Sequence, residues 1–476
     1  MPSKNKNESS ELPPKRQKVQ DELGRVHVLE KKIAEGGQGA VVTIQGQPRW
    51  LVKLSKWPSA DPRTKAWAQQ IEAVKRLPIE DFDLPFAMPK AMVLKPRLGY
   101  LMELMDGLVP LENVLIHAQE SMLEGRGLAG FLESGGLKRR LALLSRLARV
   151  LARLHGLGIA HGDISPKNIF VSESVEHAEV WMIDCDNLTY AVKDSTLQLY
   201  TPDYGAPELV REDAGISTYT DIWSFAVLAF QLLTFLHPFK SGVLVDEDAD
   251  LEHAALRGEI PWIDDPSDSR NRAICGLERS SVCTEPLARL FDRCFRAGAL
   301  VPEARPFMSE WAEVLEAACA LQIKCAEDIG GCGSTHIWTA DGACPFCGHN
   351  THGDRTVRLH HFIFCRMDQL PEDSEKKDRW IKTDCYLMAG TEPIQLRSSP
   401  PGSATYADSP IVAEFVTSSG ELHITPKGDL PLHLQVAGDK SATQIKGRVK
   451  LPRRQIAHAL HLGNLADTHD AWNFKW

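Results

Sequence analysis

The sequence predicts an α+β protein in three units: a large α+β domain over 23–320, a small cysteine-rich knuckle over 321–352 and a β-rich domain over 353–476. Three observations predict this. Up to about residue 320, strand-like patterns come first and mostly helical patterns follow. Four cysteines then fall at 325, 332, 344 and 347, amid glycines and a proline. Beyond about 355 short alternating runs dominate, which is strand periodicity. Leu432, Leu434 and Val436 would share one strand face, as would Ile445, Val449 and Leu451. A chain of 476 residues has ample length for such an arrangement.

Composition narrows the class. A hydrophobic content of 43% and a charged content of 25% describe an ordinary soluble protein. A net charge of −9 argues against general nucleic-acid binding. The longest apolar run, SFAVLAFQLLTFL at 224–236, is too short to span a bilayer comfortably and reads as a buried helix. The first twenty residues lack the apolar core of a secretory signal. Eleven cysteines spread over a long chain do not form a disulfide framework. These features point to a reduced, cytoplasmic protein without a membrane span.

Taken in order, residues 1–22 are polar, basic and Pro-containing, the composition of a disordered tail. KKIAEGGQGAVVTI then sets a glycine cluster between two strand-like runs. Such a turn lets backbone amides approach phosphate oxygens, although a ligand-free hairpin turn is its commoner origin. RWLVKLS is a strand whose one lysine, Lys53, stands amid apolar neighbours. Asp61-Pro62 opens a helix that carries Glu72. LKRRLALLSRLARVLARLHGLGIA is a strongly amphipathic helix, with leucines at helical spacing and arginines opposite. It leads into HGDISPKN, where Asp163 and Asn168 lie five apart on a loop, and VWMIDCDN ends a hydrophobic strand in Asp184. An Asn and an Asp supply the oxygen ligands that Mg²⁺ prefers, and Asp163 is a separate carboxylate able to accept a hydroxyl proton.

With these motifs in this order, the sequence resembles the eukaryotic-like Ser/Thr protein kinase family over about residues 24–320. The resemblance implies a bilobal fold and transfer of the γ-phosphoryl group of ATP to protein hydroxyls with Mg²⁺. It implies that Gly36, Gly37 and Gly39 form the phosphate loop, with Val41 against adenine and Lys53 paired with Glu72. YLMELMDG would be the hinge, with Met102 as gatekeeper and the backbone of Glu103 and Met105 meeting adenine. Asp163 would be the catalytic base, and Asn168 and Asp184 the Mg²⁺ ligands. Ala206-Pro207-Glu208 would anchor the activation segment through Arg305. Thr201 would lie beside the catalytic loop, and Asp221 would brace that loop. Ser195, Thr196, Tyr200 and Thr201 are candidate phosphosites.

The chain departs from the family pattern at several positions. Gly162 replaces an arginine that clamps a phosphorylated activation loop. Ser165 replaces a lysine near the γ-phosphate, with Lys167 a candidate substitute. Asp186 stands where the family has the glycine of its Asp-Phe-Gly motif, and Ala34 replaces the first loop glycine. None of these removes the base, a metal ligand, or Lys53 and Glu72. A pseudokinase scaffold would predict loss of Lys53, Asp163 or Asp184. Aminoglycoside-type small-molecule kinases share the HGD pattern but generally lack the Glu208 anchor and its arginine. Protein substrates are favoured.

The C-terminal third carries CPFCG, a zinc-knuckle signature in which two thiolates share one tetrahedral ion. Cys344 and Cys347 are the firmest ligands, and Cys332 before its glycine is the third. The fourth is Cys325 or His336, with Cys325 favoured because all-thiolate sites are common in zinc ribbons. Such a closed site would be structural. The histidines of RLHHFIFC and AHALHLGN read as packing or surface residues. The combination of HGDISPKN with a later Cys-rich segment resembles bacterial tellurite-resistance or stress-operon kinases. That resemblance implies as partners a von Willebrand factor A-type protein and a metal-dependent phosphatase.

Overall fold

The structure, a computed structural model, describes residues 17–35, 39–103, 106–126, 128–191, 200–245, 248–273, 275–339, 342–350, 355–372, 374–375 and 379–476. Strands β1 (Lys18–Asp21), β2 (Val26–Glu35), β3 (Gly39–Ile44), β4 (Gln47–Ser55), β5 (Pro89–Lys95) and β6 (Gly99–Glu103) form the first lobe. They close a barrel in the order β1-β2-β3-β4-β6-β5, and Gln20 opposite Lys95 lies at the seam. Successive side chains of a strand point to opposite faces. Val52 and Leu54 therefore pack with Val19, Leu29 and Val93, while Leu51 packs with Trp67, Ile71 and Met102 on the other face. Lys53 shares that second face.

The expected disordered tail ends sooner than residue 22. Lys18–Asp21 is a strand, Val19 is buried, and Asp21 accepts hydrogen bonds from the amides of Leu23 and Arg25. So polar a segment gains order only because β2 and β5 pair with it on either side. Residues 1–16 lie outside the described residues.

Helix α1 (Pro62–Val74) begins as Asp61-Pro62 predicts, with the Asp61 carboxylate accepting from the Arg63 amide at 2.9 Å. Its buried residues are Thr64, Trp67, Ile71 and Val74. At 100° per residue these form one stripe, and Glu72 points about 120° away from its centre.

The second lobe is mostly helical: α2 (Leu111–Leu123), α3 (Leu128–Glu133), α4 (Gly136–Gly156), α5 (Pro207–Val210), α6 (Thr218–Thr234), α7 (Ala249–Leu256), α8 (Arg279–Val282), α9 (Glu285–Asp292), α10 (Gly298–Leu300) and α11 (Met308–Ala320). Short strands β7 (Leu108–Pro110), β8 (Ile159–Ala160), β9 (Ile169–Ser172), β10 (Val180–Met182) and β11 (Thr189–Tyr190) form two small sheets beside them. The apolar run at 224–236 is the buried helix α6 and its C-terminal turn. Among the described residues no helix is long and apolar enough to cross a membrane. In α4 the leucines face the core as expected, but the arginines do not all lie opposite. Arg140 is fully buried, donating to the carbonyls of Leu232, Phe131 and Gly136 and to the Ser134 hydroxyl. Burial lowers its pKa to about 9.

After α11, strands β12 (Gln322–Lys324) and β13 (Thr335–Ile337) make an antiparallel hairpin at the knuckle. The knuckle leans on the helical lobe through Ile337 and through Phe346, whose ring lies 6.0 Å from that of Phe131.

The tail domain is β-rich, as the alternating runs predict, and its strands form a sandwich. One sheet has six strands: β14 (Val357–Phe364), β15 (Trp380–Ala389), β19 (Leu432–Val436), β20 (Thr443–Ile445), β22 (Ala457–Leu462) and β23 (His469–Lys475). The other has four: β16 (Ile394–Arg397), β17 (Ile411–Ser418), β18 (Glu421–Pro426) and β21 (Val449–Pro452). Leu359, Leu460 and Trp472 of the first share one core with Phe415, Leu422 and Ile424 of the second. The face expected for Ile445, Val449 and Leu451 is split. Ile445 lies in the six-stranded sheet and the other two in the four-stranded one, because the chain crosses between sheets at 446–448.

Candidate active site

The HGDISPKN segment joins β8 to β9, and α6 holds it from beneath. Asp221, in the first turn of α6, is buried and accepts from the amides of His161 (2.7 Å) and Gly162 (2.9 Å) and lies 3.1 Å from His155 Nε2. A carboxylate taking two backbone amides fixes the loop's path more firmly than apolar contact would. Gly162 has φ +86°, and a Cβ there would stand 2.8 Å from Ile216 Cδ1. A side chain at 162 is therefore strained by conformation and would also press on Ile216.

Asp163 projects from this loop. Its Oδ1 accepts from the Thr201 amide (2.9 Å) and hydroxyl (2.7 Å), and its Oδ2 from Asn168 Nδ2 (2.9 Å). Asn168 Nδ2 also reaches the Asp163 carbonyl at 3.0 Å, so Oδ1 is the atom its amide leaves for a ligand. Thr201 thus lies beside the catalytic loop as expected. Tyr200 is exposed, whereas Ser195 and Thr196 lie outside the described residues.

Asp184 ends the run that follows β10, with φ 60° and ψ 47°. A left-handed conformation at a non-glycine residue is stored strain of about 1–2 kcal/mol, the kind found where a side chain is aimed at a task. Lys53 reaches across the cleft and donates to both Asp184 and Asp186, the latter at 2.8 and 2.9 Å. Asp186 is buried and also accepts from Trp67 Nε1 at 2.7 Å. Burial alone would push its carboxyl up, but the Lys53 charge and the hydrogen bonds with Asp184, Lys53 and Trp67 hold it below the usual carboxylate range. Charge from the two carboxylates likewise raises Lys53 against the effect of burial.

The expected Lys53–Glu72 pair is not formed. Glu72 is half-buried and off the apolar stripe of α1, 3.5 Å from Lys75 one turn along. The reason is the phase of the helix: the inward positions are taken by Trp67, Ile71 and Val74. The signal was present in the apolar spacing of those residues, which already put Glu72 off the stripe. Asp184 and Asp186 are the residues found at Lys53's side, and Trp67, which the sequence reading did not connect with Asp186, bonds to the latter.

The remaining expectations fall as follows. Gly36, Gly37 and Met105 lie outside the described residues. At Gly39 a Cβ would come within 2.2 Å of the Leu54 carbonyl, so close strand packing alone requires glycine there. Val41 and Met102 are buried, Val41 opposite Lys53 in register. Glu103 ends β6, its carboxylate 3.2 Å from Arg49. Ser165 is fully buried, and no partner reaches its hydroxyl among the described residues. Lys167, the candidate substitute for the missing lysine, is 64% exposed and lies 3.6 Å from Glu112.

Behind the site, Glu208 and Arg305 meet as expected, in two bonds of 2.7 Å, with Arg305 fully buried. Arg305 also donates to the carbonyls of Gly298 and Tyr219. Arg305→Met, which strands the Glu208 carboxylate, should destabilise the lobe by about 3–5 kcal/mol in chemical denaturation. Adding Glu208→Met should recover most of that loss, and an additive double variant would refute the pairing as the cause.

Residues 111–306 match the family model for the protein kinase domain. The chain carries a eukaryotic-like protein kinase domain. The match covers the helical lobe from α2 to α10 and leaves the barrel, α11, the knuckle and the sandwich outside it. The kinase domain is similar to that of serine/threonine-protein kinase pkn2 of Myxococcus xanthus, 32% identical over 126 residues (25% of this chain, 15% of the relative). Human serine/threonine-protein kinase DCLK2 is 33% identical over 146 residues (30% and 19%). Calcium-dependent protein kinase 24 of Oryza sativa subsp. japonica is 27% identical over 150 residues (31% and 28%). The matched segment spans between 15% and 28% of these relatives' lengths.

At the knuckle, the sulfurs of Cys325, Cys332, Cys344 and Cys347 all lie within 4.8 Å of one another. Two of the separations, Cys325–Cys347 and Cys332–Cys344, are 3.7 Å. A tetrahedron with metal–sulfur bonds of about 2.3 Å has edges of about 3.8 Å, so the donor set fits a tetrahedral zinc. His336 is outside the cluster, buried in β13 with Nδ1 2.9 Å from the Ile337 carbonyl. None of the eleven cysteines is in a disulfide.

Proposed function

We propose that this chain is an ATP- and Mg²⁺-dependent protein serine/threonine kinase. The observation that carries the reading is the arrangement of Asp163: a carboxylate on a braced loop, held by Thr201 and Asn168, with Asp184 and Lys53 across the cleft. Asp163 accepts the proton of an attacking Ser or Thr hydroxyl. The hydroxyl oxygen bonds to the γ-phosphorus, the bond from that phosphorus to the β–γ bridging oxygen breaks, and ADP leaves with that electron pair. Asn168 and Asp184 are the oxygen donors suited to hold Mg²⁺, which when bound offsets phosphate charge. Lys53 holds the α and β phosphates, with Gly36, Gly37, Gly39 and Val41 around the nucleotide and the backbone of Glu103 and Met105 at the adenine. The Glu208–Arg305 anchor supports a platform for a protein substrate.

The proposed division is a kinase unit to about residue 320, a zinc knuckle over 321–352 built on Cys325, Cys332, Cys344 and Cys347, and the sandwich over 353–476. The cytoplasm is the proposed compartment. A von Willebrand factor A-type protein and a metal-dependent phosphatase are proposed as partners on the resemblance stated above.

The test follows label from γ-³²P-ATP with Mg²⁺ in the full chain, with Asp184→Asn as control. Label on protein hydroxyls that vanishes in the variant supports the reading. Tight nucleotide binding without transfer would replace it with a scaffold, and label leaving on small molecules with a metabolite kinase.

A further inference from the structure

Protein phosphotransfer by this site needs Lys53 held still, and an ion pair with Glu72 on α1 was the expected means. The structure uses other residues. Asp186 lies between Lys53 and α1, at 2.8 Å from the Lys53 ammonium and 2.7 Å from Trp67 Nε1. All three side chains are buried, Lys53 and Trp67 to within a few per cent and Asp186 almost completely. One turn along the same helix, Gln70 Nε2 donates to the Leu188 carbonyl at 3.1 Å. Thus α1 grips the 186–188 segment at two points on one face. Tyr100 packs beside Trp67, their ring centroids 5.8 Å apart, and closes the side of the pocket. Glu72 takes no part in this arrangement.

We infer that Asp186 and Trp67 are the positioning residues for Lys53, linking it to α1 in place of a direct Lys53–Glu72 pair. This rests on the kinase reading above. The physics favours the arrangement: Lys53 is desolvated, and a buried ammonium needs a buried, hydrogen-bonded carboxylate. Asp186 supplies one, and the indole N–H satisfies a further acceptor site on it without adding a second charge. The unusual residue after Cys185 and the orientation of α1 then have one explanation. Displacing α1 would remove Trp67 from Asp186, so the position of the helix is transmitted to Lys53 through a hydrogen bond from an uncharged donor.

The test uses the full chain in four versions: wild type, Trp67→Phe, Asp186→Asn and Glu72→Gln, plus the Trp67→Phe/Asp186→Asn double variant. MgATP affinity is measured by titration with the unlabelled nucleotide, phosphoryl transfer is measured separately, and thermal melting verifies the fold. Asp186→Asn is expected to weaken MgATP binding about tenfold or more, because a charged hydrogen bond is lost. Trp67→Phe, which keeps the buried charges, should weaken it about three- to tenfold. Glu72→Gln should change it less than about twofold, as for a surface pair. The double variant should be no weaker than Asp186→Asn alone, whereas simple loss of packing would add. In ¹⁵N-indole-labelled protein, one tryptophan N–H resonance, lost in Trp67→Phe, should shift upfield in Asp186→Asn.

Wild type that transfers phosphate while Glu72→Gln is impaired as strongly as Asp186→Asn would overturn the inference and leave the kinase reading standing. So would additive losses in the double variant. Wild type that neither binds MgATP nor transfers phosphate would instead remove the kinase reading, and the inference with it.

Discussion

Asp163→Asn is expected to lower phosphoryl transfer by about 10²–10⁴-fold, with little change in melting temperature. The amide keeps the shape of the carboxylate and can still accept from Thr201 through its oxygen, so the loop stays docked. What it loses is the capacity to take a proton, together with the one bond that Asn168 Nδ2 donates to Oδ2. In the structure Asp163 is held from two sides, by Thr201 on Oδ1 and by Asn168 on Oδ2. The activation segment therefore reports directly on the base. A kcat that falls while MgATP affinity stays constant would match this role. Full activity in Asp163→Asn would remove Asp163 as the base. Thr201→Val provides the complementary probe: it deletes the hydroxyl bond and should lower kcat by a smaller factor, about tenfold.

The second large effect is expected at the knuckle. Purified protein should contain one zinc per chain by elemental analysis, and Cys344→Ser should lose it. Zinc binding to such a site supplies on the order of 10 kcal/mol or more in isolated fingers. Part of this should appear as global stability, because Ile337 and Phe346 of the knuckle pack on the helical lobe. A strong chelator should therefore release the metal and depress the melting temperature of the kinase domain together with the knuckle. Cys325→Ala should behave like Cys344→Ser, whereas His336→Ala should retain the metal. The reverse pattern for those last two would transfer the fourth ligand to His336.

The two sites were legible in the sequence to different depths. HGDISPKN and IDCDN put Asp163, Asn168 and Asp184, the proposed base and oxygen ligands, at fixed spacing, and in the structure Asp163 bonds to Asn168 while Asp184 bonds to Lys53. The Glu208–Arg305 pair was legible in the same way, although the two residues are far apart in the chain. Lys53 was legible as one charge in an apolar strand, but its partner was not. A helix signal at Asp61-Pro62 fixes where α1 starts and says nothing of its rotation about its own axis. That rotation follows from burying Trp67, Ile71 and Val74, which leaves Glu72 outside. The substitute for the missing catalytic-loop lysine was not legible either: Lys167 is near in sequence, but its side chain leaves the loop on the solvent side.

The pattern of residues by itself determined the α+β class, the buried α6, the amphipathic α4 and the cysteine spacing. Each is local and depends on periodicity or on residue chemistry within a few turns of chain. Tertiary structure alone decided that the polar segment Lys18–Asp21 would close a barrel, because a strand with one apolar residue is held only by neighbours on both edges. It also decided that Cys325 and not His336 joins the sulfur cluster. The β12–β13 hairpin pairs His336 with Ile323 inside the ladder and leaves Cys325 just past the strand end, beside the other sulfurs. It likewise sent Ile445 and Leu451 to opposite sheets. These outcomes depend on contacts between distant segments, and a local pattern carries no information about which face a distant segment will cover.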